Sequence, residues 1–232
     1  MKLAIIPARG GSKRIKNKNI VDFCGKPLIS YSLEIAEKSG LFDHIHVSTE
    51  DTKIKEVVEN LGFSIEFMRD PKLADDFTGV VPVLKWVVDE FKLRGKNFTE
   101  IALIMPTSPL VSSQDIKIAY EEFIKHSKKF PVMSCSHFPV PVDWAFKNSE
   151  RGTLVPISSD KLSVRSQDLP DYYFDAGAFS FLTDVHIREG FKMEFIPYLL
   201  PTERAVDIDN MKDLHLAEIL YLGHKAKIER DG

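Results

Sequence analysis

Short apolar runs alternate with amphipathic stretches along most of the chain. Leu3 to Ile6 is an apolar run halted by Pro7, and its length and β-branching predict a strand buried on both faces. Apolar residues then return at helical spacing through Leu28, Ile29, Tyr31, Leu33, Ile35 and Ala36, with Pro27 at the start and Gly40 as the stop. The same alternation predicts a strand over His44 to Ser48, a helix over Thr52 to Asn60 ended by Gly62, and an amphipathic helix over Val80 to Phe91. Glu100 to Met105 reads as another buried strand, broken by Pro106 and Pro109. Ser112 or Ser113 then caps a helix through His126, and Val132 to Ser136 is the next strand. Repeated strand–helix order predicts an α/β protein of three layers, a mostly parallel sheet between helices, joined by right-handed crossovers.

The pattern loosens after Cys135. Residues 137–170 hold Pro139, Pro141, Pro156 and Pro170 with no helical period, which predicts an irregular lobe. Ala176 to Leu182 and Phe195 to Leu200 read as strands, and Met211 to Leu222 as a final helix with Leu214, Ala217, Ile219 and Leu220 on its inner face. Nothing repeats and no linker interrupts the pattern, so residues 1–232 are expected to form one domain carrying a small inserted lobe.

Composition changes this picture little. The 232 residues are 44% hydrophobic with a net charge of −3, the balance of an ordinary globular protein and a poor one for general nucleic-acid binding. No apolar run approaches the roughly 20 residues that cross a bilayer, so a membrane protein is not expected. Leu3 to Ile6 is too brief for a signal-peptide core, which gives the expectation of a cytoplasmic protein. Cys24 and Cys135 fit neither a disulfide framework nor a zinc or redox pair, and both are expected as buried thiols.

Charge distribution matters more. Between Arg9 and Lys26 stand Arg9, Lys13, Arg14, Lys16, Lys18 and Lys26 against Asp22 alone. This basic stretch contains Gly10 and Gly11 and links the first strand to the first helix, at the sheet end where open α/β folds bind ligands. It has neither the GxxxxGK(S/T) spacing nor GxGxxG, so it is not a P-loop or a dinucleotide fingerprint. Two glycines can still expose backbone N–H groups to an anion while Arg9, Lys13 and Lys18 supply charge from several directions, which suits a triphosphate. The alternative is a simple turn with solvated lysines.

The run IIPARGGSKRIKNKN followed by FCGKPLISYSL resembles the opening of the acylneuraminate cytidylyltransferases, which join CMP from CTP to nine-carbon sialic-type sugar acids. HVSTEDTKI, LADDFTGVVPV, PTSPL, RSQDLPDYYFDAG and AVDIDN follow in that family's order over almost the whole chain. Within the family, GSKRI, FCGKP, DDFTG, RSQD and DAG are similar to the branch acting on pseudaminic acid. The resemblance implies a Rossmann-like α/β/α nucleotidyltransferase fold whose lobe, roughly residues 137–190, makes a homodimer contact and carries the sugar site.

It also implies roles. Ala8, Arg9, Gly10, Gly11, Ser12, Lys13, Lys18, Asn19 and Thr78 would bind the nucleotide, with Arg9, Lys13, Lys18 and Asp209 in catalysis. Asp207 and Asp209 would hold Mg²⁺; residues i and i+2 of an extended segment point the same way and offer the oxygen ligands this cation prefers. Asp209 could instead cap the last helix, and Thr78 could be a helix N-cap. Arg165 would pair with the sugar carboxylate through two parallel hydrogen bonds, with Gln167, Tyr173 and Asp175 reading the remaining groups. Asp168, Asp171 and Asp175 could also be turn residues around Pro170. Two positions depart from the family's QPTSPLR: Met105 and Val111 stand where its glutamine and arginine would, so the glutamine's contact with the base is missing. The implied reaction is attack by the sugar's anomeric hydroxyl on the α-phosphorus of CTP, releasing pyrophosphate. It needs no histidine. A cytidylyltransferase for sialic, legionaminic or ketodeoxyoctonic acid, or a catalytically silent nucleotide-binding subunit, are the rivals.

Overall fold

In β1 (Lys2–Pro7) successive side chains go to opposite faces of the sheet, and both faces are covered. The computed structural model describes residues 1–231. After β1 come the hairpin strands β2 (Asp22–Phe23) and β3 (Lys26–Pro27), then α1 (Leu28–Ser39), β4 (His44–Ser48), α2 (Thr52–Asn60), α3 (Val80–Leu93) and β5 (Glu100–Ile104). The second half contains α4 (Ser113–Lys125), β6 (Val132–His137), β7 (Phe146–Asn148), β8 (Leu154–Pro156) and β9 (Tyr173–Thr183), then α5 (Asp184–Glu189), β10 (Ile196–Leu199) and α6 (Met211–Asp231). The main sheet runs β10-β6-β9-β5-β1-β4.

β1 is parallel to β4 and β5, and β6 to β10, while β9 lies antiparallel between β5 and β6. The sheet is therefore mostly parallel, as the alternation predicts. One face of β1 and β5, Ala4, Ile6, Ala102 and Ile104, packs on Ile29 and Leu33 of α1, Ile54 and Val58 of α2, and Ile116 and Phe123 of α4. The opposite residues Leu3, Ile5, Ile101 and Leu103 pack on Val83, Leu84, Val87 and Phe91 of α3 and Ile187 of α5. Ser112 caps α4 in a capping box with Asp115, deciding between the two serines.

Three sequence expectations are corrected. The last helix continues to Asp231, and its inner face is Leu214, Ala217 and Tyr221, the last edge-on to Phe23 and Tyr31; Ile219 is 55% exposed. Two residues beyond Ala217 is nearly the opposite side of a helix, so Ile219 turns outward. Only Cys135 is a buried thiol; Cys24 is half-buried, at φ 50 in the tight β2–β3 turn. The short helix α5, capped by Thr183, follows β9 where no helix is predicted. The lobe holds the β7–β8 hairpin and short 3-10 turns before β9 re-enters the sheet. Among the described residues no helix is long and apolar enough to cross a membrane.

Candidate active site

β1 and β5 end side by side, and a cleft of about 520 Å³ opens beyond them. The basic loop forms one wall. Ile15 anchors it in the small core around Phe23 and Tyr31, and buried Asn19 donates from Nδ2 to the Arg9 carbonyl at 2.9 Å. With its middle and end pinned, the loop presents Arg9, Ser12, Lys13, Arg14 and Lys18 to the cleft.

The two glycines do other work. Gly10 donates its N–H to Glu50 Oε1 at 2.7 Å, and a Cβ there would stand 2.2 Å from Asp51 Oδ2. Asp51 in turn caps α2, accepting from the amides of Lys53 and Ile54 at 2.7 and 3.3 Å. Gly10 is thus required for close packing of the loop on the start of α2. Ala8, Gly10 and Gly11 do not line the cleft, whereas Arg9, Ser12, Lys13, Lys18, Asn19 and Thr78 do.

The facing wall carries the carboxylate pair. Asp207 Oδ1 accepts from the Thr107 hydroxyl at 3.0 Å, and its backbone neighbour across the gap is Gly177, where a Cβ would come within 3.4 Å of Asp207 Oδ2. Burial pushes the Asp207 carboxyl above its ordinary range; the Thr107 hydrogen bond opposes this and the charge of Asp209 adds to it. Asp209 Oδ1 lies 2.9 Å from Arg14 and 3.3 Å from Lys18 Nζ, and Lys18 also donates to the Ile208 carbonyl at 2.9 Å. The capping alternative for Asp209 does not hold. Asn210 Oδ1 takes the amides of Lys212 and Asp213 at the start of α6, and Asp213 reaches back to the amides of Asp209 and Asn210 at 2.9 Å each. Thr78 is not an N-cap either: that position belongs to Gly79, and the Thr78 amide donates to Asp75 Oδ1 at 2.6 Å.

The geometry adds three cleft residues that the sequence reading misses. Arg69 is 4% exposed, with Nε on Ser48 Oγ at 3.0 Å and Nη2 on the Ser48 carbonyl at 2.6 Å. Burial pulls its pKa down and Glu50 opposes. No motif marks Arg69. Thr107 and Asp76, in contrast, sit within PTSPL and DDFTG, motifs that signal their neighbourhood but not their contacts. Met105 lines the cleft and Val111 does not.

Two carboxylates on the cleft surface, Asp207 with no cation paired to it and Asp209 beside Arg14 and Lys18, are a donor set that fits a magnesium ion, which takes one or two carboxylates and completes its shell with phosphate oxygens and water. No group of three or more acidic, histidine or cysteine side chains among the described residues forms a full protein cage. The four residues read as a sugar site, two on the lobe and two at the start of β9, stand apart. Arg165 is exposed and pairs with Asp168 at 2.9 Å, Gln167 is exposed, the Tyr173 ring lies 4.6 Å from His137, and Asp175 accepts from the Gly177 amide at 2.8 Å. None of the four lines the cleft.

Cations on a loop after β1, facing paired carboxylates beyond a mostly parallel sheet, define a cleft for handling a polyphosphate, as in a nucleotidyltransferase. The chain belongs to the cytidylyltransferase family, whose profile matches residues 3–189. It is 39% identical over 222 residues, 94% of this chain and 95% of the other, to a pseudaminic acid cytidylyltransferase of Campylobacter jejuni. A CMP-N,N'-diacetyllegionaminic acid synthase of Legionella pneumophila is 30% identical over 94% of this chain and 95% of its own length. Among solved structures, a CMP:2-keto-3-deoxy-manno-octonic acid synthetase complexed with CTP superposes with TM-score 0.71 over 96% of this chain and 99% of its own, at 16% identity, which shows a shared fold.

Proposed function

We propose that this enzyme transfers CMP from CTP to pseudaminic acid and releases pyrophosphate. The observation that carries the reading is the meeting of Arg9, Lys13 and Lys18 with Asp207 and Asp209 in one cleft. Arg9 and Lys13 neutralise the β- and γ-phosphates, and Lys18, fixed on the Ile208 carbonyl, keeps a positive charge beside the carboxylate pair. Mg²⁺ held by Asp207 and Asp209 would neutralise charge gathering on the phosphates and favour ionisation of the sugar hydroxyl. Thr107 fixes the orientation of Asp207. Met105 replaces the family glutamine with an apolar wall, so polar reading of the base falls to Arg69, whose guanidinium is held by Ser48 and retains free N–H groups for a carbonyl oxygen.

Tyr173 and Asp175 at the start of β9 form the proposed sugar site with Arg165 and Gln167 on the lobe. Phe138, Val140, Phe146, Leu154 and Ile157 are 41–66% exposed there, an apolar surface suited to a second copy of the chain. A homodimer would cover it and bring lobe residues to a partner's cleft; sedimentation showing only monomer at micromolar concentration would contradict this. The reaction is tested by pyrophosphate release from CTP with Mg²⁺ and pseudaminic acid. Asp209→Ala is expected to lose at least about 100-fold in turnover with its fold intact; near-normal turnover at saturating Mg²⁺ would remove the metal assignment.

A further inference from the structure

The cations assigned to the triphosphate already have an anion. Asp76 Oδ1 lies 2.9 Å from the Arg9 guanidinium, and Asp76 Oδ2 pairs with Lys13 Nζ. One carboxylate therefore bridges two cations through its two oxygens, as a phosphoryl group would, and all three side chains line the cleft. Arg9 is further held by the Asp75 carbonyl at 2.5 Å.

The segment that delivers Asp76 is a self-contained turn. Asp75 Oδ1 accepts from the amides of Phe77 and Thr78 at 2.9 and 2.6 Å, so the turn keeps its shape through its own hydrogen bonds. Phe77 is 96% exposed and contributes no buried anchor. The ion pairs are open to water, with side-chain exposures of 36% for Arg9, 38% for Asp76 and 79% for Lys13. Exposed pairs of this kind are weak. A single carboxylate held weakly loses to a polyphosphate with several negative charges competing for the same cations.

We propose that Asp76 is a displaceable stand-in for phosphate: it yields Arg9 and Lys13 to the incoming nucleotide and reclaims them as pyrophosphate leaves. This rests on the reading of the cleft as a triphosphate site. Asp76 thereby lowers affinity for both polyphosphates and speeds release of the product.

The test is calorimetric titration of inorganic pyrophosphate, in Mg²⁺, into wild type and Asp76→Asn, a substitution that keeps side-chain shape and removes the charge. Pyrophosphate should bind the variant about three- to tenfold more tightly, and product inhibition by pyrophosphate should strengthen by the same factor. Unchanged or weaker binding would overturn the proposal, because it would mean the carboxylate holds Arg9 and Lys13 in place for phosphate. A double-mutant cycle with Lys13→Ala separates the local exchange from a diffuse charge effect. The gain should shrink in the Lys13→Ala background; a full gain there would also overturn the proposal. Wild type that binds neither pyrophosphate nor CTP would refute the triphosphate reading itself, a failure distinct from a wild type that binds and an Asp76→Asn variant that binds no better.

Discussion

Gly10 shows how one backbone position ties the basic loop to the rest of the fold. Its amide is spent on Glu50 and its missing Cβ leaves room for Asp51, which caps α2. Gly10→Ala should displace the Asp51 carboxylate and cost about 1–2 kcal/mol of stability through the lost cap. Gly11→Ala, with nothing within 4 Å of the added carbon, should melt near wild type. Equal melting temperatures for both would contradict the packing role. The sequence marks this glycine pair as special, but as an anion cradle; the spacing does not reveal that Asp51 stands behind the first glycine. Asp209 is the opposite case. Its place just before a helix suggests a cap, and the contest is settled only by Asn210 and Asp213, which satisfy the helix start and leave Asp209 facing Arg14 and Lys18.

The elements that carry the site are locked together by a buried carboxylate outside it. Asp115 on α4 receives Arg204 through both terminal nitrogens at 2.7 and 3.1 Å, the Tyr198 hydroxyl at 2.8 Å, and the Ser112 amide and hydroxyl at 2.7 and 2.6 Å. It joins α4, β10 and the segment that runs on to Asp207. Burial alone would raise the Asp115 pKa; the bonds from Arg204, Ser112 and Tyr198 outweigh it and hold the carboxyl below its ordinary range. A depressed carboxylate stabilises the fold above its unfolded pKa of about 3.9, and that contribution disappears as pH falls through the lower folded value. Asp115→Asn should therefore cost about 3–5 kcal/mol at pH 7 and flatten the fall in melting temperature below pH 4. An unchanged acid limb would show that other carboxylates govern it. Element positions are well legible in the sequence because strand and helix periods differ. Two things are not. The antiparallel direction of β9 leaves no trace in its apolar pattern, and α6 has apolar residues on two faces, so periodicity alone assigns Ile219 to the wrong one.

At the scale of the molecule, a chain of net charge −3 sets Arg9, Lys13, Arg14 and Lys18 together beyond the carboxyl end of β1, which concentrates attraction for an anion in a single cleft. The basic wall of that cleft is legible from charge and position. The proposed base contact is not, because Arg69 belongs to no periodic element and becomes a cleft residue only through Ser48 at the end of the neighbouring strand. The proposed sugar residues, on the lobe and the start of β9, do not line the cleft, so under that proposal substrate choice would depend on how lobe and cleft meet. The most direct measurement is pyrophosphate release from CTP and Mg²⁺ with pseudaminic, N-acetylneuraminic, legionaminic and ketodeoxyoctonic acids offered in parallel. Release with pseudaminic acid well above the other three is the predicted result; release with none of the four, by protein that binds CTP, would contradict the account.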